Sequence, residues 1–247
     1  MSSGRAISLE SLIDRLDGLA SLTAKDRTLI TSILRGGASH PAGSIILQQG
    51  QEIAAPRLLV AGWAWRMRSL PNGQRQVFAL VLPGDFIGLC WRPRPRALAS
   101  TVAITPVTTC DAAALLSEMP GGSEDHSGLH QALTLSSRHD EMRVLDHVVR
   151  LGRQNAVERT ASFLLELDQR LRNVGLADDR AMPFPLSQDA LGVVLGMSGV
   201  HVNRTLQTLK RDGMVELSGG FARLLDRDGL RAMSGFEAMA RPYAEAI

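Results

Sequence analysis

Seven residues near the C-terminal end of the chain carry groups that can meet the edges of nucleic acid bases: Ser198, Gly199, Val200, His201, Asn203, Arg204 and Gln207. They lie in LSQDALGVVLGMSGVHVNRTLQTLK, residues 186–210. Within it Val202, Leu206 and Leu209 recur at helical spacing, so one face is apolar and the polar groups are left for the others. In the major groove arginine suits guanine, asparagine suits adenine, and apolar groups touch the thymine methyl. Arg204 and Asn203 are therefore the leading candidates for base contact. On spacing alone, the competing reading is a helical hairpin with a solvated charged face.

The elements needed to position that helix are also written locally. Ser187 is placed to cap a preceding helix, on which Leu191, Val194 and Leu195 form the inner face. Gly196 ends it, and Gly192 and Gly196 share a face, which lets the following helix approach closely. Ser198 caps that second helix. In a helix-turn-helix the first turns of the second helix enter the major groove, and Ser187 and Gln188 open the first helix beside it. After Asp212-Gly213, two short apolar runs flank Ser218-Gly219-Gly220, a hairpin signal. This is the arrangement of a winged helix, with Arg223 on the second strand of the wing as a candidate phosphate contact.

Composition sets the outer bounds. A chain of 247 residues with 45% hydrophobic residues fits two ordinary domains. The net charge is only +2, yet the stretch 138–211 is rich in arginine on elements that could share one surface. No apolar run reaches membrane-spanning length, and MSSGRAISLE lacks the basic start and apolar core of a secretory leader, so the expected location is the cytoplasm, without membrane partners. Cys90 and Cys110 lack metal-ligand spacing and are expected to be free thiols. No phosphate loop, paired acidic motif or Ser-His-Asp order points to catalysis, so no catalytic residue, metal or cofactor is assigned.

Upstream, Leu9, Leu12, Ile13 and Leu16, then Leu29, Ile30, Ile33 and Leu34, mark two amphipathic helices closed by Gly36-Gly37. From Gly43 to Leu116 short apolar runs alternate with turns, notably Asn72-Gly73 and Pro83-Gly84-Asp85, which predicts an antiparallel barrel or jelly roll. Helical spacing returns between 127 and 151. Leu129, Leu133, Val144, Val148 and Leu151 lie near one face, with Met142, Leu145 and Val149 beside it. So long a helix needs a partner, either a second copy or its own β domain. Gly152 is the expected hinge, Asn155 the cap of the next helix, and 173–185 a loop. The class is α+β, with a sensor domain over 1–126, a long helix and hinge over 127–152, and a winged helix-turn-helix over 153–247.

This order resembles the Crp/Fnr family of bacterial transcription regulators over nearly the whole chain. GWAWRMRSLPNGQRQVFALVLPGDFIG, 62–88, is similar to the core of the family's cyclic-nucleotide-binding-type barrel. NAVERTASFLLEL, 155–167, is similar to its post-hinge helix, and LSQDALGVVLGMSGVHVNRTLQTLKRDGMVEL, 186–217, to its DNA-binding signature. The resemblance implies a homodimer on palindromic double-stranded DNA, with RNA polymerase as a further partner if the protein activates. It implies that Arg204 reads guanine and that Ser187 and Gln188 touch phosphate. Gly199 and Val200 depart from the arginine or valine, then glutamate, of the best-known members, so a different operator is expected, set in part by His201 and Asn203. The effector site departs too. Leu89 replaces the glutamate of cyclic-nucleotide binders, and Ala97-Leu98 stands near the frame of the phosphate-binding pair, with Arg96 just outside. Cyclic AMP is not the expected ligand, and the N-terminal cysteine group of cluster-bearing members is missing.

Other groups have bland and sharp readings. Arg92, Arg94 and Arg96 alternate with Pro93 and Pro95 as an anion site or a solvated loop. Cys90, with Arg96 a candidate effector-pocket residue, is a redox or haem-ligating thiol, with His126 or His130 as partner, or a small buried group. Trp63 and Trp65 read as core. His147 reads as a hydrogen-bonded or solvated histidine against a proton switch. Two other functional classes remain: a ligand- or redox-sensing module acting through a protein partner, and an enzyme hidden in the barrel.

Overall fold

The computed structural model describes residues 5–73, 75–117 and 126–237. The outer ends of the expected first and last domains, and 118–125 before the long helix, lie outside these residues. The chain forms two compact units, the first taking residues up to Arg68 and Leu80–Met142, the second Ser69–Ala79 and the chain from Arg143.

The first unit opens with α1 (Leu9–Asp17) and α2 (Ala24–Ile33), capped by Ser8 and Thr23. Strands β1 (Gly37–His40), β2 (Ile45–Leu47), β3 (Arg57–Ala61), β4 (Ala64–Ser69), β5 (Arg75–Val81, of which residues 75–79 are counted with the second unit), β6 (Phe86–Ile87), β7 (Ser100–Ala103) and β8 (Val107–Asp111) follow, then α3 (Ala114–Ser117). They make two four-stranded sheets, ordered β1-β8-β3-β6 and β2-β7-β4-β5. The result is a double-sheet roll rather than one closed barrel. Leu59, Ala64, Val81, Ile87, Ala103 and Val107 form a core cluster, as alternating strands with one buried face require. Trp63 is buried within the unit and Trp65 is partly so. Gly62 answers to a close approach: at φ +82° a Cβ there would lie 2.1 Å from the Pro106 carbonyl oxygen.

Helix α4 (Ser127–Arg153) begins in this unit, with Leu129 and Leu133 fully buried. Two arginines tie its first half to the roll. Arg15 donates to the Gly84 carbonyl at 2.8 Å and to Ser136 Oγ at 3.1 Å, and Arg66 donates to the Phe86 carbonyl and to Asp140 at 2.9 and 2.8 Å. His126 Nδ1 lies 2.7 Å from Asp26, which also closes the capping box of α2. Among the described residues, no helix is long and apolar enough to cross a membrane.

The second unit holds the rest of α4, then α5 (Ala156–Arg172), β9 (Met182–Pro183), α6 (Gln188–Leu195), α7 (Gly199–Arg211), β10 (Val215–Ser218), β11 (Phe221–Leu224) and α8 (Arg227–Ser234). Helix α4 continues through Gly152, and the break falls at Gln154, after which Asn155 and Glu158 form a capping box for α5. Gly152 is not the interruption, because one glycine costs a helix only about 1 kcal/mol.

Helix α5 is the core of this unit. Its Glu166, buried, receives Arg150 Nη2 at 2.8 Å and Arg170 Nη1 at 3.0 Å. Burial opposes the charge of Glu166, but Arg150, Arg170 and Arg143 outweigh it and hold its carboxyl below the usual carboxylate range. Asp168 binds Arg172 on the same helix and Arg227 of α8 at 2.9 and 3.0 Å. His147 is buried, and its Nε2 donates to the Val77 carbonyl at 3.2 Å. Burial, then the charge of Arg150, pushes its pKa below the ordinary imidazole value, which favours the neutral ring. Removing one partner of a buried ion pair strands the others, so Glu166→Ala is expected to destabilise this unit by about 3–5 kcal/mol. Denaturant unfolding of the variant against wild type checks this, and a loss below about 1 kcal/mol contradicts it.

Candidate nucleic-acid interface

Helices α6 and α7 are built by short-range rules. Ser187 Oγ accepts from the Ala190 backbone N–H at 3.1 Å and Ser198 Oγ from that of His201 at 3.2 Å, so each serine caps its helix. Leu191, Val194 and Leu195 of α6, and Val202, Leu206 and Leu209 of α7, are buried. Gly196 ends α6 in the left-handed conformation, φ 63°, with its N–H on the Gly192 carbonyl. Gly192 faces the start of α7, whose Gly199 nitrogen would lie 3.6 Å from a Cβ, and more tightly the turn before it. A Cβ there would meet the Met197 carbonyl oxygen of the turn itself at 2.6 Å.

The turn is also gripped from α5. Arg159 donates to the Leu195 carbonyl at the end of α6 at 2.7 Å, and to the Leu151 and Gln154 carbonyls at 3.1 Å each. One guanidinium thus satisfies orphan carbonyls of two helix ends. Nothing in the sequence marks Arg159 as different from its neighbours.

The outer surface of α7 borders an open groove of about 580 Å³, lined by Gln188, Asp189, Ser198, Gly199, Val200, Asn203 and Arg204. Six of these are sequence-derived candidates, which the fold brings together; Asp189 was not among them. Arg204 is exposed and, among the described residues, has no hydrogen-bond or ion-pair partner. Asn203 Nδ2 donates to Gln188 Oε1 at 3.1 Å, which joins the two helices and leaves the Asn203 oxygen open. Val200 is 66% exposed, and His201 is exposed on the first turn of α7. Gln207 lies apart from this groove. With Ser187 and Gln188 it lines a second one, of about 480 Å³, between α7 and the wing.

The wing forms as the glycine pair requires. Ser218 pairs with Phe221, and Gly219 and Gly220 take φ values of 58° and 80° in the two-residue turn between them. Strand β9 adds a third strand beside β11 within the expected loop 173–185. Arg223 is on the second strand, as expected, but it has protein partners: Glu216 across the strands and the Arg180 carbonyl, both at 3.0 Å.

The effector-pocket candidates are not brought together. Cys90 borders a small pocket of about 260 Å³ with Arg92 and Arg94, whereas Arg96 does not line it and donates to the Gly50 carbonyl at 2.9 Å. His130 packs against Trp91, ring centroids 4.9 Å apart. Both cysteines are free thiols, and burial pushes the Cys110 thiol up.

A two-sheet roll, a long helix and a capped helix-turn-helix with a three-stranded wing define a DNA-binding transcription regulator. Comparison with known proteins agrees. Residues 158–233 match the model of the Crp-like helix-turn-helix domain. The nitrogen fixation regulation protein FixK of Bradyrhizobium diazoefficiens is 33% identical over 167 residues, 67% of this chain and 68% of that protein. The transcriptional activator protein FnrL of Cereibacter sphaeroides is 29% identical over 202 residues, 77% and 79% of the two chains. The solved structure of FixK2 from Bradyrhizobium japonicum superposes with a TM-score of 0.68 at 27% identity, covering 83% of this chain and 98% of that one. The chain belongs to the Crp/Fnr family of transcription regulators, a family of regulators and not of enzymes.

Because the neighbour of Gly192 is a backbone carbonyl, even Gly192→Ala must shift the turn. The expected cost is about 1–3 kcal/mol, with a loss of DNA affinity larger than that of Val193→Ala on the exposed side of α6. Thermal unfolding and a gel shift of the two variants check this; equal behaviour contradicts it.

Proposed function

We propose that the protein is a cytoplasmic homodimer that reads a palindromic DNA operator with α7 in the major groove of each half-site. The observation that carries this reading is the open groove beside α7, where, among the described residues, Arg204 has no hydrogen-bond or ion-pair partner and the Asn203 oxygen accepts no hydrogen bond. A guanidinium suits guanine O6 and N7, and an asparagine amide suits adenine. Ser187, Gln188 and Gln207 lie toward the wing, where the backbone of the same duplex would pass, and they serve as positioning contacts. Ser198, Gly199, Val200 and His201 supply the start of α7. Arg223, braced by Glu216, serves the wing more as a fixed charge than as a free arm.

The proposed organisation is a sensor domain over 1–126, a dimerisation helix over 127–153 with its hinge at Gln154 in place of the Gly152 expected from sequence, and the DNA-binding domain from Asn155 on. Cyclic AMP is not the proposed effector, since Leu89 stands where cyclic-nucleotide binders carry glutamate and Arg96 is occupied by Gly50. RNA polymerase is the further partner if the protein activates.

For the dimer, the relevant face of α4 carries Leu145, Val148 and Val149, which are 60%, 61% and 55% exposed. This is an unusual density of apolar surface for one helix face and suits a second copy. Val144 and Leu151, grouped with Val148 by sequence spacing, are only partly exposed. Val148→Glu would bury an unpaired charge in such a seam. It is expected to sediment as a monomer and to bind the operator more weakly; an unchanged dimer moves the interface elsewhere.

The base-reading role is tested by comparing wild type with Arg204→Ala on a selected operator, on its single-base variants and on unrelated duplex at several salt concentrations. The expected loss on the operator is about 1–3 kcal/mol, with relaxed preference at one position per half-site. Equal weakening on every duplex, with a lower salt slope, reassigns Arg204 to phosphate.

A further inference from the structure

Asp189 is an acid in a place where DNA phosphates would repel it. It is the second residue of α6, exposed, and it lines the same groove as Arg204 and Asn203. Among the described residues no hydrogen bond or ion pair engages its carboxylate, Arg204 included. The carboxylate lies against the first residue of α7, since a Cβ added at Gly199 would come within 2.7 Å of Asp189 Oδ1. Gly199 has an ordinary negative φ, so backbone conformation does not call for glycine there. The missing side chain instead leaves room for the carboxylate beside the start of α7. The partial positive charge of a helix N-terminus favours an anion at that place in the free protein.

When the first turn of α7 meets base edges, this carboxylate comes with it and must find donors there or oppose binding. The major groove offers two kinds, the amino groups of cytosine N4 and adenine N6. They are not equivalent for a group that only accepts. Adenine N6 stands next to N7, itself an acceptor, which repels the second carboxylate oxygen. Cytosine N4 has only a C–H beside it on its own base.

We propose that Asp189 is a specificity-determining residue that accepts a hydrogen bond from the amino group of a cytosine in each half-site, and that Gly199 is the glycine that gives it room. This deepens the DNA reading proposed above and rests on α7 entering the major groove. It places base recognition on both helices, with an acceptor from α6 beside donors from α7.

The test uses the full-length protein and an operator selected with wild type from a random duplex library. Affinities for all single-base variants of one half-site are then measured for wild type, Asp189→Ala, Asp189→Asn and Gly199→Ala. Wild type is expected to prefer cytosine at one position by about ten-fold. Asp189→Ala should abolish that preference while raising affinity for unrelated duplex, because a phosphate-repelling charge is gone. Asp189→Asn, which both donates and accepts, should move the preference toward adenine. Gly199→Ala should displace the carboxylate and lose the cytosine preference, leaving the position governed by Arg204 unchanged. A base profile for Asp189→Ala that matches wild type at every position, whatever the change in overall affinity, overturns the role of Asp189 alone. A wild type that selects no sequence overturns the DNA reading and this inference together.

Discussion

A carboxylate held out of water between two arginines fixes the second unit. Glu166 on α5 binds Arg150 from α4 and Arg170 from its own helix, and the Arg150 guanidinium also lies over the Phe163 ring, 5.7 Å from its centroid. Such a group gains little if satisfied and costs much if any member is lost, so the geometry tolerates few alternatives. Asp168, two residues further along α5, fastens α8 through Arg227, and Arg159 from the same helix holds the end of α6. Helices α6 and α8 are thus tied to α5 through charged groups whose partners are specified.

This arrangement changes the meaning of the arginine content. The stretch 138–211 reads as a basic surface, yet Arg150 and Arg170 are buried in ion pairs, Arg159 binds helix-end carbonyls, Arg172 binds Asp168 and Asp179, and Arg138 binds Glu141. In contrast, Arg204 on α7 has no hydrogen-bond or ion-pair partner among the described residues. The electrostatic attraction to DNA therefore rests on fewer cations than composition implies, which accords with a net charge of only +2.

What was legible in the sequence is what depends on near neighbours. The serine caps of α6 and α7, the left-handed Gly196, the buried stripe of α7 and the diglycine wing turn all involve residues within a few positions of each other, and each has a residue type that few others can replace. Structure set by partners far along the chain was not legible. Strand β1, GASH, carries no apolar alternation because it is a largely exposed edge strand paired with β8, and β9 is a two-residue strand recognisable only by its pairing with β11. The amphipathic α8, anchored by Leu230, spans only eight residues, too few for its apolar spacing to stand out beyond the wing. On α4 the apolar residues exceed any single stripe, so spacing grouped Val144 and Leu151 with Val148, whereas the exposed set includes Leu145 and Val149. Among site residues, Asp189 carries no distinguishing sequence signal, because an acid in the first turn of a helix has a sufficient local explanation. Only its contact with Gly199 gives it another.

Helix α7 is proposed to enter the major groove and to read bases from the groove it shares with α6. A crystal structure of the full-length protein on its selected operator tests this most directly. The account predicts α7 in the major groove of each half-site, with the Arg204 guanidinium within hydrogen-bond distance of guanine O6 and N7. A complex in which α7 lies outside the groove, or in which Arg204 touches only phosphate oxygens, would contradict it.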